Sequence, residues 1–189
     1  MVFTMAIFIG CSENEEDEIS NGLKDSRDGQ TYKVVIIGSQ VWMAENLNFD
    51  TGDGSWVYAD KLSNSDIYGR LYDWETACNV CPDGWHLPTY EEWSWLNDYL
   101  DGGSAAGQKL IDVSNPSLWI YFDQKATNET GFSALPGGKR NLDGSYNQTG
   151  QVGYWWSSTS IDSQNASNVL ITNTIGALLA FNESDKKRG

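Results

Sequence analysis

The chain predicts an α+β domain: two helices packed with short, mostly antiparallel strands and long loops. Three observations point there. A helix with a complete start and stop is written between Thr89 and Gly103. Several short runs of β-branched or aromatic residues are separated by glycine-containing turns. The 189 residues hold nine Trp and nine Tyr, while Leu, Ile and Val are spread thinly, a composition suited to a core of large rings. The length suits one domain plus a tail.

The helix is specified residue by residue. The Thr89 hydroxyl is placed to accept from the Glu92 backbone N–H, and the Glu92 carboxylate to reach back to the Thr89 N–H. This capping box satisfies donors left over at a helix start. Pro88 suits an extended approach to it, and Glu91 and Glu92 sit where the helix dipole favours negative charge. Trp93, Leu96 and Leu100 fall at i, i+3 and i+7, the spacing of one buried face, and Asp101-Gly102-Gly103 ends the helix.

Taken in order, residues 1–11 (MVFTMAIFIGC) form a short apolar run. It falls short of the ~20 apolar residues that span a bilayer and fits a signal-peptide core. Ile9-Gly10-Cys11 resembles the end of a bacterial lipobox, which makes Cys11 the expected lipidation site. Phe8 stands where a branched aliphatic residue is usual, and no basic residue precedes the run, so a start upstream of Met1 is expected. Ser12 to Asp28 reads as an acidic, disordered tether, with Glu13, Glu15, Glu16, Asp17 and Glu18 clustered and no apolar period.

The folded part is expected from Asp28-Gly29 onward. Thr31–Ile37 and Gln40–Met43 are β-prone runs joined by Gly38-Ser39, the pattern of a type II′ hairpin. Asp50–Asp60 reads as loop. Gly69–Thr76 reads as the first helix, with Leu71, Tyr72 and Trp74 inward. Gly102–Thr130 reads as mostly irregular, apart from a short Gln108–Ile111 element and the apolar cluster Trp119–Phe122. From Phe132 the pattern is strand and turn: Phe132–Leu135, Asn141–Tyr146, Val152–Ser158, Asn168–Thr172 and Ala177–Phe181, with Asn173–Gly176 turning between the last two.

Charge and motifs exclude several classes. A net charge of −14 is wrong for nucleic acid, which needs clustered Lys and Arg, and equally wrong for adhesion to anionic lipid through a basic patch. Membrane contact is expected through the lipid anchor alone. Cys78-Asn79-Val80-Cys81 is a CxxC at a helix end before Pro82. In an exported protein it is a local disulfide or free thiol. Zinc needs four ligands, and only Cys11 and the single histidine, His86, remain to complete a set. His86 is expected buried and hydrogen-bonded, since no nucleophile pattern accompanies it. No phosphate loop, dinucleotide fingerprint or hydrolase elbow occurs, so no catalytic residue, metal or cofactor is expected. Rings in loop-like segments can stack on sugars, which makes Trp56, Tyr58, Trp119 and Tyr121 the ligand-binding candidates.

Four blocks also resemble a family: YGRLYDW at 68–74, CPDGWHLPTYEEW at 81–93, TGFSALPGGKR at 130–140 and GYWWSSTS at 153–160. In this order they are similar to the Fibrobacter succinogenes major paralogous domain, over about Asp28 to Gly189. That family comprises secreted or surface bacterial modules, often lipoproteins, without an established activity. The WHLPT…EW block is shared more weakly with formylglycine-generating enzymes and C-type-lectin-like domains, so the resemblance implies a C-type-lectin-like fold. It implies further that Cys81 pairs with a cysteine in a final SVRC-like strand. This chain stops at Gly189 where that strand would begin, so a chain lacking its last strand is expected. Val57 and Ser65 stand where many members carry cysteine, consistent with a second disulfide lost as a pair.

Calcium-dependent sugar binding finds no motif here. Trp95-Leu96-Asn97-Asp98 carries an inserted residue relative to the lectin Trp-Asn-Asp triplet, and the Glu-Pro-Asn and Gln-Pro-Asp triplets are absent. The formylglycine-generating enzymes use a C-terminal cysteine pair that nothing after Cys81 supplies. The expectation is a non-enzymatic, lipid-anchored module at the outer membrane or cell surface of a Gram-negative bacterium, binding glycan or protein ligands or acting in adhesion. The alternatives are an oxidoreductase of the formylglycine-generating kind and a purely structural surface component.

Overall fold

A tight hairpin anchors the N-terminal half. In the computed structural model, which describes residues 6–8, 22–172 and 178–189, the first strands are β1 (Ala6–Phe8), β2 (Leu23–Lys24), β3 (Thr31–Tyr32), β4 (Val34–Ile37) and β5 (Gln40–Met43). β5 lies between β1 and β4 in an antiparallel sheet, and β2 pairs with β3. The expected Gly38-Ser39 turn joins β4 to β5, with Gly38 at φ 62°. A side chain at Gly38 would collide with the Trp95 indole, so glycine serves both the turn and the packing. The single run expected over Thr31–Ile37 is broken at Lys33, whose backbone N–H donates to Glu45 Oε2 at 3.0 Å.

The folded part starts earlier than the expected Asp28-Gly29. Cys11 and residues 12–21 lie outside the described residues, but Leu23 is buried in β2 and Asp25 is 1% exposed. Asp25 Oδ1 accepts from Arg27 Nε at 2.9 Å and from the Arg27 backbone N–H at 3.0 Å. Arg27 Nη1 in turn donates to Val80 O at 2.7 Å. One buried leucine and one locally neutralised aspartate thus draw a polar segment into the fold.

The expected helix over 69–76 is also corrected. A short helix α1 (Ser65–Tyr68) ends at Gly69, φ 69°. Then β6 (Ser55–Trp56) pairs antiparallel with β7 (Leu71–Tyr72). Helix α2 (Trp74–Asn79) begins only after Asp73, whose carboxylate accepts from Thr76 N at 2.8 Å. An aspartate cap sets the helix start at that point. Leu71 and Tyr72 are buried as expected, from a strand instead of a helix.

Helix α3 (Tyr90–Tyr99) carries the full capping box: Glu92 N donates to Thr89 Oγ1 at 3.1 Å, and Thr89 N to Glu92 Oε2 at 2.7 Å. Trp93, Leu96 and Leu100 are buried. Glycines read only as a stop also open a further helix, α4 (Gly103–Leu110), of which the Gln108–Ile111 element was the legible end. The strand expected at Phe132–Leu135 is reduced to a single parallel bridge, Ile111 to Ala134.

The C-terminal part holds a small hairpin, β8 (Lys139–Arg140) with β9 (Tyr146–Asn147), and a three-stranded antiparallel sheet. Its strands β10 (Val152–Ser160), β11 (Asn165–Thr172) and β12 (Leu178–Asp185) lie in sequence order. The expected Asn173–Gly176 turn lies outside the described residues. The core is aromatic. Ring centroids are 4.8 Å apart for Trp42 and Trp93, 6.4 Å for Trp93 and Trp155, and 6.2 Å for Phe132 and Trp155, in tilted or edge-on arrangements. In this core the Trp42 indole N–H finds an acceptor in Gln40 Oε1 at 3.1 Å, that of Trp155 in Asn46 Oδ1 at 3.2 Å and that of Trp156 in Tyr72 O at 2.9 Å, whereas those of Trp85 and Trp119 are buried without one among the described residues. Among the described residues no helix is long and apolar enough to cross a membrane.

Candidate functional site

Beside the β4–β5 hairpin the chain encloses an open cleft of about 1040 Å³. β4 is the edge strand of its sheet, and Lys33, Val34 and Val35 line the cleft along that edge. The other walls are Asn46 and Asn48 after β5, Asp66 and Ile67 of α1, Asp112 with Ser114, and the Gly131–Leu135 segment.

Several walls are fixed by hydrogen bonds of their own, although the buried Asn48 Oδ1 has no partner among the described residues. Asn46 Nδ2 donates to Tyr68 O at 3.0 Å while its Oδ1 accepts from Trp155, tying the wall to the core. Asp112 accepts from Ser114 N at 3.1 Å and from Ser114 Oγ at 2.8 Å. Asn128 braces Ser133 from both ends of its amide, and Thr130 Oγ1 donates to Lys109 O at 2.8 Å. At Gly131, φ 71°, a Cβ would crowd Val35 at 3.1 Å, so that loop lies close against the strand edge. Beneath β3, the Tyr32 ring is fully buried and its hydroxyl accepts from Asn48 N at 3.1 Å. Burial pushes the Tyr32 phenol up to about 12.

None of the four candidate rings lines this cleft. Trp56 and Tyr58 are brought together, but half-buried and against the β8–β9 hairpin. The Arg140 guanidinium lies 4.3 Å over the Trp56 ring, and Tyr58 packs on Tyr146 at 5.2 Å. The Tyr146 hydroxyl donates to Asp60 Oδ1 at 2.6 Å. Trp119 is corrected outright: it is 3% exposed and belongs to the core. The chain there turns Trp119 inward and leaves Ile120 and Tyr121 at 58% and 62% exposure. Tyr121 therefore remains an exposed ring. The cleft residues have no common sequence signal because they are scattered from Gly22 to Leu135 over strand, helix and loop, and most are ordinary polar or small residues. The backbone twist that aims them, such as φ 60° at Ser133, has no signature in an L-residue.

Cys78 and Cys81 are both free thiols, half-buried at the end of α2. Burial pushes Cys78 up to about 11 and Cys81 up to about 12. The thiolate is the nucleophile, so both are chemically quiet at neutral pH. His86 is hydrogen-bonded as expected, Nε2 lying 2.8 Å from Glu92 Oε1, but its side chain is 43% exposed instead of buried. Its neighbours Trp85 and Leu87 take the inward positions. Burial works to raise the Glu92 carboxyl, yet hydrogen bonds from His86 and from Thr89 N–H outweigh it and leave it below the usual Glu value. Among the described residues, no group of three or more His, Cys, Asp or Glu side chains could hold a metal ion.

Fold and cleft together define an α+β module with an aromatic core and one open polar recess built from loops and a sheet edge. The Fibrobacter succinogenes major domain matches residues 35–187, and the chain belongs to that family. No curated protein and no solved structure matches it.

Proposed function

We propose that this protein is a non-catalytic binding module, carried at the surface of a Gram-negative bacterium on a lipid anchor at Cys11, with the cleft beside β4 receiving a glycan or protein ligand. The observation that carries the reading is the cleft. Its volume of about 1040 Å³ is at the upper end of ligand-site sizes. Its walls are held by hydrogen bonds within the chain, so the recess needs no ligand to form. Its polar groups suit recognition more than chemistry: Ser114 and Ser133 hydroxyls serve their own turns. The mixed α+β architecture with long loops is compatible with a C-type-lectin-like relationship, and calcium plays no part in the proposal.

The test joins ligand capture to localisation. Glycan and protein arrays, each with and without calcium, are probed with the wild-type chain and with Ile67→Trp, which fills the cleft from an exposed position. Ligands bound by wild type and lost in Ile67→Trp are expected. Capture that is indifferent to Ile67→Trp would move the site away from the cleft. For the anchor, a palmitate analogue should label the protein in a Gram-negative host, and label surviving Cys11→Ala would defeat that part.

A further inference from the structure

A second recess lies on the outer face of α3 and shares no lining residue with the cleft. Glu91, Trp95 and Tyr99 recur every four residues, so they form one stripe along the helix. The Trp95 and Tyr99 rings stack at 4.9 Å with an interplanar angle of 12°. Gly38 of the hairpin turn presses on both, since a Cβ there would run into them. The indole is therefore held rigidly, with Tyr99 covering one of its faces. Against the indole, on the side toward the start of the helix, is a pocket of about 300 Å³ lined by Ser39, Gln40, Thr89, Glu91, Glu92 and Trp95.

Most polar groups in that lining are already committed. Glu92 uses Oε1 for His86 and Oε2 for Thr89 N, and the Thr89 hydroxyl accepts from Glu92 N. The Gln40 side chain holds the Trp42 indole N–H at 3.1 Å. Glu91 is different: it is exposed, and among the described residues its carboxylate has no hydrogen-bond or ion-pair partner. The pocket thus offers one fixed indole wall and one uncommitted negative charge.

We propose that this pocket binds a small alkylammonium cation of the choline kind, its methyl shell on the Trp95 indole and its charge balanced by Glu91. An indole face attracts such cations, and tryptophan is the best of the aromatic residues for it. Glu91, Glu92 and a net charge of −14 oppose any anion. A neutral polyol would find only the Glu91 carboxylate and the Ser39 hydroxyl uncommitted among the described residues, too few to satisfy several hydroxyls, and a hydrated metal ion would gain nothing from an indole wall.

The experiment is an NMR titration of the full 189-residue chain, following the Trp95 indole N–H signal, assigned through Trp95→Phe. The probes are choline, its neutral isostere 3,3-dimethylbutan-1-ol, and methyl glucopyranoside. Choline should shift the Trp95 signal and bind about fivefold or more tighter than the isostere, a difference in keeping with one cation–π contact. Glu91→Gln should weaken choline by a similar factor while lowering the thermal midpoint only slightly, through the lost first-turn charge, and Trp95→Leu should abolish binding. Ile67→Trp in the cleft should leave choline binding intact, so failure here and failure of the cleft are separable. Equal binding of choline and its isostere would reduce the pocket to a plain apolar dent. Binding of the glucopyranoside alone, no Trp95 shift with millimolar choline, or choline binding untouched by Glu91→Gln would each overturn the proposal.

Discussion

β4 and β5 are the two strands of one hairpin, and their fates differ. β5 (Gln40–Met43) is buried at every position, including Gln40 at 2% exposure. β4 (Val34–Ile37) is the more apolar by composition, yet only Ile37 is fully buried and Ile36 is 47% exposed. Place in the sheet makes the difference. β5 is central, flanked by β1 and β4, and its Trp42 faces Trp93 and Phe132. β4 is an edge, and its free side borders the cleft. Side-chain hydrophobicity announces a strand; the pairing partners decide whether it builds core or borders a recess.

The core side of this comparison should yield the largest effect. Trp93 is fully buried and packs on Trp42, Phe132 and Trp155. Trp93→Ala should cost about 3–5 kcal/mol. Val35→Ala, at the half-buried edge, should cost only on the order of 1 kcal/mol, since part of its apolar surface is already in water. Urea denaturation of both variants checks the contrast. Equal losses would mean that the cleft edge is as tightly packed as the core.

Next in size is the cap that aims α3 into that core. Thr89→Ala removes the acceptor for Glu92 N and should cost about 0.5–2 kcal/mol. The reciprocal half titrates. The Glu92 carboxyl lies below its ordinary value of 4.5 in the folded chain, and Asp25, hydrogen-bonded by Arg27 against the opposing effect of burial, lies below 3.8. A group whose folded value is depressed stabilises the fold above its unfolded value and loses that contribution as pH falls through the folded one. Stability should therefore hold from neutrality down to about pH 5 and decline below it. Glu92→Gln and Asp25→Asn should each flatten the decline. A thermal midpoint falling with the same slope in both variants would assign the acid sensitivity elsewhere.

How much of this was legible follows the same division. The α3 cap, its buried face, the hairpin and the ring-built core are local or compositional features, and each is present. The misplacements share a cause: a short-range signal was outweighed by one the pattern could not express. Asp73 capping Thr76 N moved a helix start past Leu71 and Tyr72. Leu23 and the Asp25–Arg27 pair folded in the end of an acidic run. Trp119 turned inward next to an outward Tyr121 because irregular backbone has no period to say which ring is which. The cleft was least legible, being made of a strand edge, a short helix and loops that meet only in three dimensions. The Trp95 pocket was half legible, since the Glu91, Trp95 and Tyr99 spacing is helical, whereas the pressing turn at Gly38 is not a sequence feature.

The smallest stability effect belongs to the cleft wall, and it tests whether the recess is a binding surface or an imperfectly filled part of the core. Ile67 sits on α1 at 44% exposure and lines the cleft. If the cleft is a solvated recess whose walls stand on their own hydrogen bonds, Ile67→Ser removes apolar area that already meets water. The expected change is then within about 0.5 kcal/mol, as for ordinary surface substitutions. If Ile67 instead closes a core that continues across the cleft, the change leaves a cavity, and a loss of about 2 kcal/mol or more is expected. Denaturation midpoints of the two proteins decide between these, and the slope of the transition guards against a misreading: an altered slope would signal a changed native or unfolded state. Neighbouring wall groups such as Asn46 and Asp112 have their own partners and should keep their positions in the variant. A small stability change with an unaltered slope would leave β4 as the border of a formed recess, and a large one would make it a second core strand.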